Sequence, residues 1–316
     1  MTSIAAPIPL RDRLTRLTPP VSSASQQQSW EAPPRNTSSS PIPSRPDHLS
    51  HSQCRNYAGC SLGWWLSRRY APEFVPSNLV FGSSFHAGLE AYYQAQLEGR
   101  VATANDLLAA FTTHWFDELA GKHGHAPAPL KFSAKDENED HLRALALRMF
   151  EAFLAHHQQQ PSEVIAIEEG FRIEVDTDLP PLAGKIDLIE IVTDEVGRRT
   201  LCLTDFKTAA RKPSLDDLGV EQLQLYARAA VGLGLVNAFR LPLTLRYLVV
   251  TKCKEPSVVS VPVENTPRDW ERLREKIRQT WRGMKAGVIF PSSSWRCAGC
   301  GHARLCGQWP ALKAAA

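Results

Sequence analysis

The sequence predicts an α/β fold with a central mixed sheet flanked by helices, and three observations carry that expectation. Three stretches ahead of the chain's middle place apolar residues at three- and four-residue spacing, as amphipathic helices do. Three short β-branched segments then follow in close succession, VIAIEEGFRIEV, GKIDLIEIV and RTLCLTDFK, separated by turn material such as LPPLAG and DEVG. Helical spacing afterwards resumes around two further strand-like segments, so helices and strands alternate along the chain.

Taken in order, residues 1 to 46 are rich in Pro, Ser and Gln and lack periodic apolar positions. Such a segment cannot bury enough surface to offset its ordering entropy, and a disordered tail is expected. Order begins near Leu49. Helices are expected over Ser84 to Glu98, Thr103 to Gly121 and Glu137 to Gln159, a helical part of about 84–160. The three strand segments read as a meander. Asp216 to Leu233 reads as a helix, LTLRYLVVT as a buried strand, VVSVPV as a further strand and Pro267 to Gly287 as a last helix. The core thus spans about 162–290, followed by a cysteine-bearing tail at 295–309, all within one domain over 47–316. No internal repeat of solenoid period is visible.

At 316 residues, 43% of them hydrophobic and 22% charged, the chain has material for one large or two small packed cores. No run approaches the roughly 18 consecutive apolar residues of a membrane-spanning helix. The formal net charge of +3 excludes neither nucleic acid nor a small substrate. Seven cysteines, an odd number and without a secretory signal, point to a reducing compartment, and the cytoplasm is expected. Arg11, Arg13 and Arg16 among Ser and Pro resemble an organellar transit peptide weakly, and a disordered tail explains them equally.

Asp187 in GKID and Asp205 and Lys207 in TDFKT stand in or at the ends of apolar strands of the same meander. Period-two alternation puts Asp205 and Lys207 on one face of their strand and Phe206 on the other. Two carboxylates and one ammonium can therefore converge. Two aspartates with a backbone carbonyl make a partial oxygen shell for a hard divalent cation, and Lys207 can stabilise negative charge on a phosphodiester. An Asp–Lys pair along a solvated strand is the plainer reading of the same triplet.

The order of these residues carries a resemblance. G-x-x-D, then a strand ending in D-F-K-T, then EQLQLYA, resembles the nuclease core of RecB-type PD-(D/E)XK enzymes. LSHSQCRNYAGC, at Leu49 to Cys60, resembles that family's opening segment; GSSFH, ending at His86, resembles its first motif; Glu168 lies where a Glu commonly precedes the central strands; and Gln222 with Tyr226 fits Q-x-x-x-Y. The resemblance spans Leu49 to Trp309 and includes AddB-type and CRISPR-associated RecB-like exonucleases. It implies a restriction-endonuclease-like core with a helical insertion between His86 and Glu168. It also implies Mg2+ or Mn2+ held by His86, Asp187 and Asp205, Lys207 as the catalytic lysine, and Gln222 and Tyr226 positioning DNA or bracing the site. Gln222 and Tyr226, four apart, share a helix face. The family's Pro before the first aspartate is Ile186 here, and its D/E position is Asp205.

Cys297, Cys300 and Cys306 form C-x2-C-x5-C, with intervening Gly, Ala and His that argue against a regular helix or strand, so a loop can wrap its thiolates around one centre. From the residues alone an iron-sulfur cluster, a zinc ion with His302 as a ligand, and free thiols all stay open, and both Cys54 and Cys60 are candidate early ligands. The resemblance to four-cysteine RecB-like nucleases picks Cys60, Cys297, Cys300 and Cys306 and implies a [4Fe-4S] cluster joining the two ends of the domain. Cys202 reads as a small buried hydrophobe, and Cys253 has no partner apparent in the sequence.

The helix expected over Pro267 to Gly287 carries Arg268, Arg272, Arg274, Lys276, Arg278, Arg282 and Lys285, a face able to track a phosphate backbone or simply a solvated one. Trp64, Trp65, Tyr70, Tyr92 and Tyr93 suit either base stacking or a core. The expected function is a metal-dependent deoxyribonuclease, a single-strand-preferring exonuclease in DNA repair, recombination or related processing. The alternative is a catalytically idle DNA-binding or scaffold module of the same fold. With no G-x-x-x-x-G-K-S/T motif, any unwinding is left to a helicase or recombination partner.

Overall fold

The computed structural model describes residues 46–122, 127–160 and 162–309. The tail expected over 1–46 lies outside the described residues, apart from residue 46. Helices α1 (His51–Gly59) and α2 (Ser61–Ser67) open the fold, followed by β1 (Val75–Pro76), α3 (Ser77–Leu97), α4 (Ala104–Leu119), β2 (Leu130–Lys131) and α5 (Glu139–Gln159). Then come β3 (Glu163–Ile173), β4 (Leu182–Thr193), β5 (Arg199–Ala209), α6 (Leu215–Leu218), α7 (Glu221–Gly232), α8 (Leu235–Phe239), β6 (Leu243–Thr251), β7 (Val258–Val263) and α9 (Pro267–Lys285). A 3-10 turn (Trp295–Gly299) and α10 (Ala303–Cys306) end the described chain.

The five long strands form one mixed sheet in sequence order, β3 to β7. The meander β3–β4–β5 is antiparallel, β5 and β6 pair in parallel across the α6–α8 crossover, and β7 returns antiparallel to β6. A parallel neighbour demands such a crossover, whereas the antiparallel steps need only turns. β4 and β5 are buried on both faces, which is why they read as near-continuous apolar runs.

Helices cover both faces. Leu223, Leu225 and Leu235 of the crossover and Leu273, Ile277 and Trp281 of α9 pack with Leu49 and Cys54 on one face, against Ile189, Leu203 and Tyr247. Phe81 and Phe85 of α3, Phe111 and Trp115 of α4, and Met149, Phe150 and Phe153 of α5 pack on the other, against Leu188, Phe206 and Leu248. The segment expected as an insertion is therefore this second layer of the sheet. A buried aromatic of this size stabilises by roughly 1.5–3 kcal/mol, and the Phe-rich layer explains why α3–α5 need no further support. Capping boxes start α4 (Thr103 with Asp106) and α9 (Thr266 with Asp269, Pro267 following), and Asn138 caps α5.

Three boundaries differ from expectation. α3 begins at Ser77, seven residues earlier than Ser84, because Pro76 with φ −64° sets its start without any side-chain cap. The helix expected over Asp216 to Leu233 is cut by Gly219 at φ 74°, which ends α6 and lets α7 begin afresh. The cysteine tail holds two short helical turns where irregular loop was expected, the first capped by Ser294.

Candidate active site

β4 and β5 pair from Thr193↔Arg199 only as far as Leu188↔Thr204. One residue beyond, the strands have parted, and the carboxylate of Asp187 accepts the Phe206 N–H at 2.9 Å in place of a strand partner. Asp205 and Lys207 point to the α7 side while Phe206 points to the α3 side, where it stacks on Tyr93 at 5.6 Å. The expected alternation is thus observed. On α7 the Gln222 amide donates to the Tyr226 hydroxyl at 3.0 Å and accepts from the Lys207 ammonium at 3.3 Å. The Tyr226 hydroxyl stands 3.0 Å from Asp187 Oδ1 and 3.2 Å from Asp205 Oδ1, so its one proton bridges the two carboxylates. Five of the residues singled out by sequence are therefore one connected network.

His86, the sixth, reaches the network from α3. Its Nδ1 lies 3.5 Å from Asp187 Oδ2, and its ring meets the edge of Phe206. Asp205 is fully buried, and its Oδ2 is in an ion pair with Lys207 without an aligned hydrogen bond. Burial first, then the like charge of Asp187, pushes the Asp205 carboxyl up to about 6 against the opposing pull of Lys207. Burial and the two carboxylates likewise hold the Tyr226 hydroxyl well above its usual range, so it stays a proton donor.

Glu168 lies on β3 with φ 51°, a rare backbone conformation for a residue with a side chain. It pairs with Lys185 at 3.3 Å, and burial raises its carboxyl against the downward pull of Lys185, with Glu90 pushing it further up and His86 opposing. The site is therefore acidic and half-enclosed, closed by α3 on one side and α7 on the other.

Among the described residues, no group of three or more His, Cys, Asp or Glu side chains is drawn close enough to hold a metal ion as it stands. The oxygens that would do so are instead occupied by Tyr226, Phe206 N–H and Lys207. The donor chemistry nevertheless fits a divalent cation. Two carboxylates forced together out of water, one of them with its proton affinity raised by the other, are relieved by positive charge, and the His86 nitrogen adjoins them.

The cysteine tail packs against α2. Cys60 and Cys306 pack in a small third core with Trp64, Trp65, Leu305 and Trp309. Burial raises the Cys306 thiol, and the charges of Cys60, Cys300 and Cys297 raise it further, yet among the described residues no three cysteines are drawn together closely enough to hold a metal ion as they stand. Phe290 N–H donates to Ser61 Oγ at 2.9 Å and Glu73 N–H to Gly301 O at 2.7 Å, which stitches the tail to α2 and the loop after it. Gly301 is required there, since a Cβ would come within 2.8 Å of Pro72. Cys54 is elsewhere. It faces the sheet core, and burial pushes its thiol up to about 12. His302 is buried, with Nδ1 unpartnered in the described structure. Cys202 is buried in the sheet, and the Cys253 thiol donates to the Glu255 carbonyl.

Two expectations about nucleic-acid surfaces are narrowed. On α9, Arg274 and Arg278 pair with Asp176, and Lys276 pairs with Glu221 at 2.6 Å, so these three are engaged within the fold. Trp64, Trp65, Tyr92 and Tyr93 are core residues, and only Tyr70 is half-exposed. Sequence reasoning missed the buried Glu190–Arg246 pair on the α5 face and the position of Tyr247 under Lys207. Both depend on inter-strand register, which no local motif reveals.

Comparison with known proteins agrees with this geometry. The family profile of the PD-(D/E)XK nuclease superfamily matches residues 48–307. Among solved structures, a candidate exonuclease from Eubacterium rectale is similar at 14% identity and a TM-score of 0.39, covering 81% of this chain and 88% of that one. The protein SSO0001 is similar at 12% identity and a TM-score of 0.31, covering 81% and 94%. No curated protein sequence matches the chain. No described helix is long and apolar enough to cross a membrane.

Proposed function

The chain belongs to the PD-(D/E)XK nuclease superfamily, and from that membership we propose that it is a metal-dependent deoxyribonuclease, a single-strand-preferring exonuclease acting in DNA repair, recombination or related processing. The observation that carries this reading is the single network of His86, Asp187, Asp205, Lys207, Gln222 and Tyr226. A scaffold that had lost its chemistry would have no cause to keep two carboxylates in mutual repulsion out of water.

His86, Asp187 and Asp205 would hold Mg2+ or Mn2+. Bound there, the cation would supply an acidified water and charge neutralisation at the phosphodiester. Lys207 would stabilise the developing negative charge, its ammonium directed by the Gln222 amide oxygen. Tyr226 sets the spacing of the two aspartates through its shared proton. Phe206, pinned by Asp187, keeps the strand from sliding and carrying Asp205 away. Cys60, Cys297, Cys300 and Cys306 would hold a [4Fe-4S] cluster, which would act as a cross-link between α2 and the tail. A cytoplasmic setting and a helicase or recombination partner complete the reading.

Purified protein with Mg2+ or Mn2+ and end-labelled single- and double-stranded DNA, linear and circular, tests this directly. Loss of linear single strands from an end, stopped by EDTA, is expected. Intact substrate under all these conditions leaves the idle-module alternative.

A further inference from the structure

One cation near the site has no part assigned to it. Leu49 donates its N–H to the Pro181 carbonyl and accepts the Ala183 N–H, both at 2.9 Å, so the entry to α1 is tied to the start of β4. That strand carries Asp187 five residues further on. Cys54 and Tyr57 bury the inner face of α1, which leaves Arg55 exposed. With His51 and Cys54, Arg55 lines a cleft closed on its other side by Glu221, Leu225 and Lys276. Glu221 adjoins Gln222, the residue that accepts from Lys207.

Tyr247 fixes the position further. It sits opposite Asp205 in the β5–β6 register, with the Lys207 ammonium 5.6 Å from its ring centroid. Burial raises its hydroxyl most, and the charges of Asp205, Arg55, Asp187 and Glu221 act on it as well. Lys207 lies against the Tyr247 ring, and Arg55 lines the cleft beside Glu221, the residue next to Gln222, so the two cations flank α7. Lys207 is already paired with Asp205, and Glu221 is taken by Lys276 at 2.6 Å and His51 at 3.9 Å. No described side chain makes an ion pair or hydrogen bond with Arg55. An exposed planar guanidinium thus stands on the cleft next to α7, beside an acidic site that has to admit a polyanion.

We propose that Arg55 grips a phosphodiester flanking the one that is cut, as a substrate-holding residue of this site. The inference rests on the nuclease reading above. Arg55 is exposed, so Arg55→Ala should melt as wild type does, and it serves with Arg55→Lys as the test. Binding is read from the anisotropy of an end-labelled oligothymidylate in Ca2+, and turnover from initial rates in Mg2+ or Mn2+. Arg55→Ala should raise Kd and KM on the order of tenfold with a smaller change in kcat, and flatten the slope of log Kd against log salt by about 0.7, the value of one lost contact on a single strand. Arg55→Lys, which keeps the charge without the fork, should fall between, and Arg198→Ala in the β4–β5 turn should change nothing. Wild-type protein that binds and cuts while Arg55→Ala keeps the wild-type Kd and salt slope overturns the assignment of Arg55 alone. Wild-type protein that neither binds nor cuts overturns the nuclease reading and this inference with it.

Discussion

Asp187 accepts the backbone N–H of Phe206 at 2.9 Å where β4 and β5 cease to pair, so a candidate metal-binding side chain also closes a gap in the sheet. Asp205, one strand away, closes nothing. It is buried beside Asp187, and among the described residues its carboxylate pairs only with Lys207 and the shared Tyr226 proton. Two aspartates of the same proposed role therefore contribute to stability with opposite sign.

Asp187→Ala is expected to lower stability by about 1–3 kcal/mol, the cost of leaving the buried Phe206 N–H without an acceptor. Asp205→Asn is expected to raise stability of metal-free protein at neutral pH, because it removes a buried charge that repels Asp187. Both should abolish cleavage. Denaturant unfolding in EDTA checks the pair, and equal effects of the two substitutions would sink the distinction.

The pH dependence follows from the same carboxyl. Its proton affinity in the folded state is raised, from an ordinary value near 3.8 to about 6, so between these values the folded protein binds the proton more readily than the unfolded chain. Asp205 thus favours folding most below about 4, and that contribution is lost as pH rises through about 6. In metal-free protein the stability of Asp205→Asn relative to wild type should grow across this window and level off above it. Mg2+ affinity, which requires the proton to leave, should climb over the same range.

How far the sequence foretold this site depends on where each residue's information lies. Strands at Leu243–Thr251 and Val258–Val263 coincide with the segments LTLRYLVVT and VVSVPV, because buried β-branched runs declare themselves locally. Asp205, Lys207, Gln222 and Tyr226 were legible through the resemblance of D-F-K-T and Q-x-x-x-Y, in that order, to RecB-like motifs, whereas the Asp–Lys spacing alone suits a solvated strand equally. Arg55 was not, since its place at the site depends on Leu49 bridging to β4, a contact between segments remote in sequence. Glu190 and Arg246 were invisible for the same reason, and α1 and α2, at 9 and 7 residues against 21 in α5, are too short to show a helical repeat.

The Glu190–Arg246 pair makes its own prediction. Glu190 is fully buried on the α5 face, and its Oε1 accepts from Arg246 and from Thr204 Oγ1, each at 2.6 Å. Arg246→Ala strands that charge and should cost about 3–5 kcal/mol. Replacing both residues by Met should recover most of the loss, which a double-mutant cycle in denaturant measures. A double substitution no better than Arg246→Ala would mean that the arginine acts through packing instead.

Gly88 lets α3 approach its neighbours. A Cβ there would collide with the Phe150 ring and stand 3.0 Å from the Leu107 carbonyl. Gly88→Ala gains up to about 1 kcal/mol of helix propensity but should still lower stability, since overpacking costs about 1–3 kcal/mol. Phe150→Leu in the same chain should restore part of the loss, and additive effects of the two would argue against the collision.

The cysteine reading is tested by separating Cys60 from Cys54. Cys60 lies with Cys306, Cys300 and Cys297, while Cys54 is buried in the sheet core. A shared centre would close a loop from Cys60 to Cys297 around the whole catalytic core, worth about 4–5 kcal/mol by analogy with a disulfide of long loop. Cys60 also caps α2, its sulfur accepting the Gly63 N–H at 3.3 Å. Serine caps a helix at least as well, so Cys60→Ser removes a ligand without removing the cap. Protein purified without oxygen should be brown and contain iron, and Cys60→Ser should bleach it and lower its melting temperature. Cys54→Ser buries a hydroxyl and should also lower stability, so colour and iron content, not melting, are the deciding measurements. It should stay brown, as should Cys202→Ser and Cys253→Ser. One zinc and no iron per chain would replace the cluster by a zinc site, and bleaching by Cys54→Ser alone would overturn the assignment of Cys60.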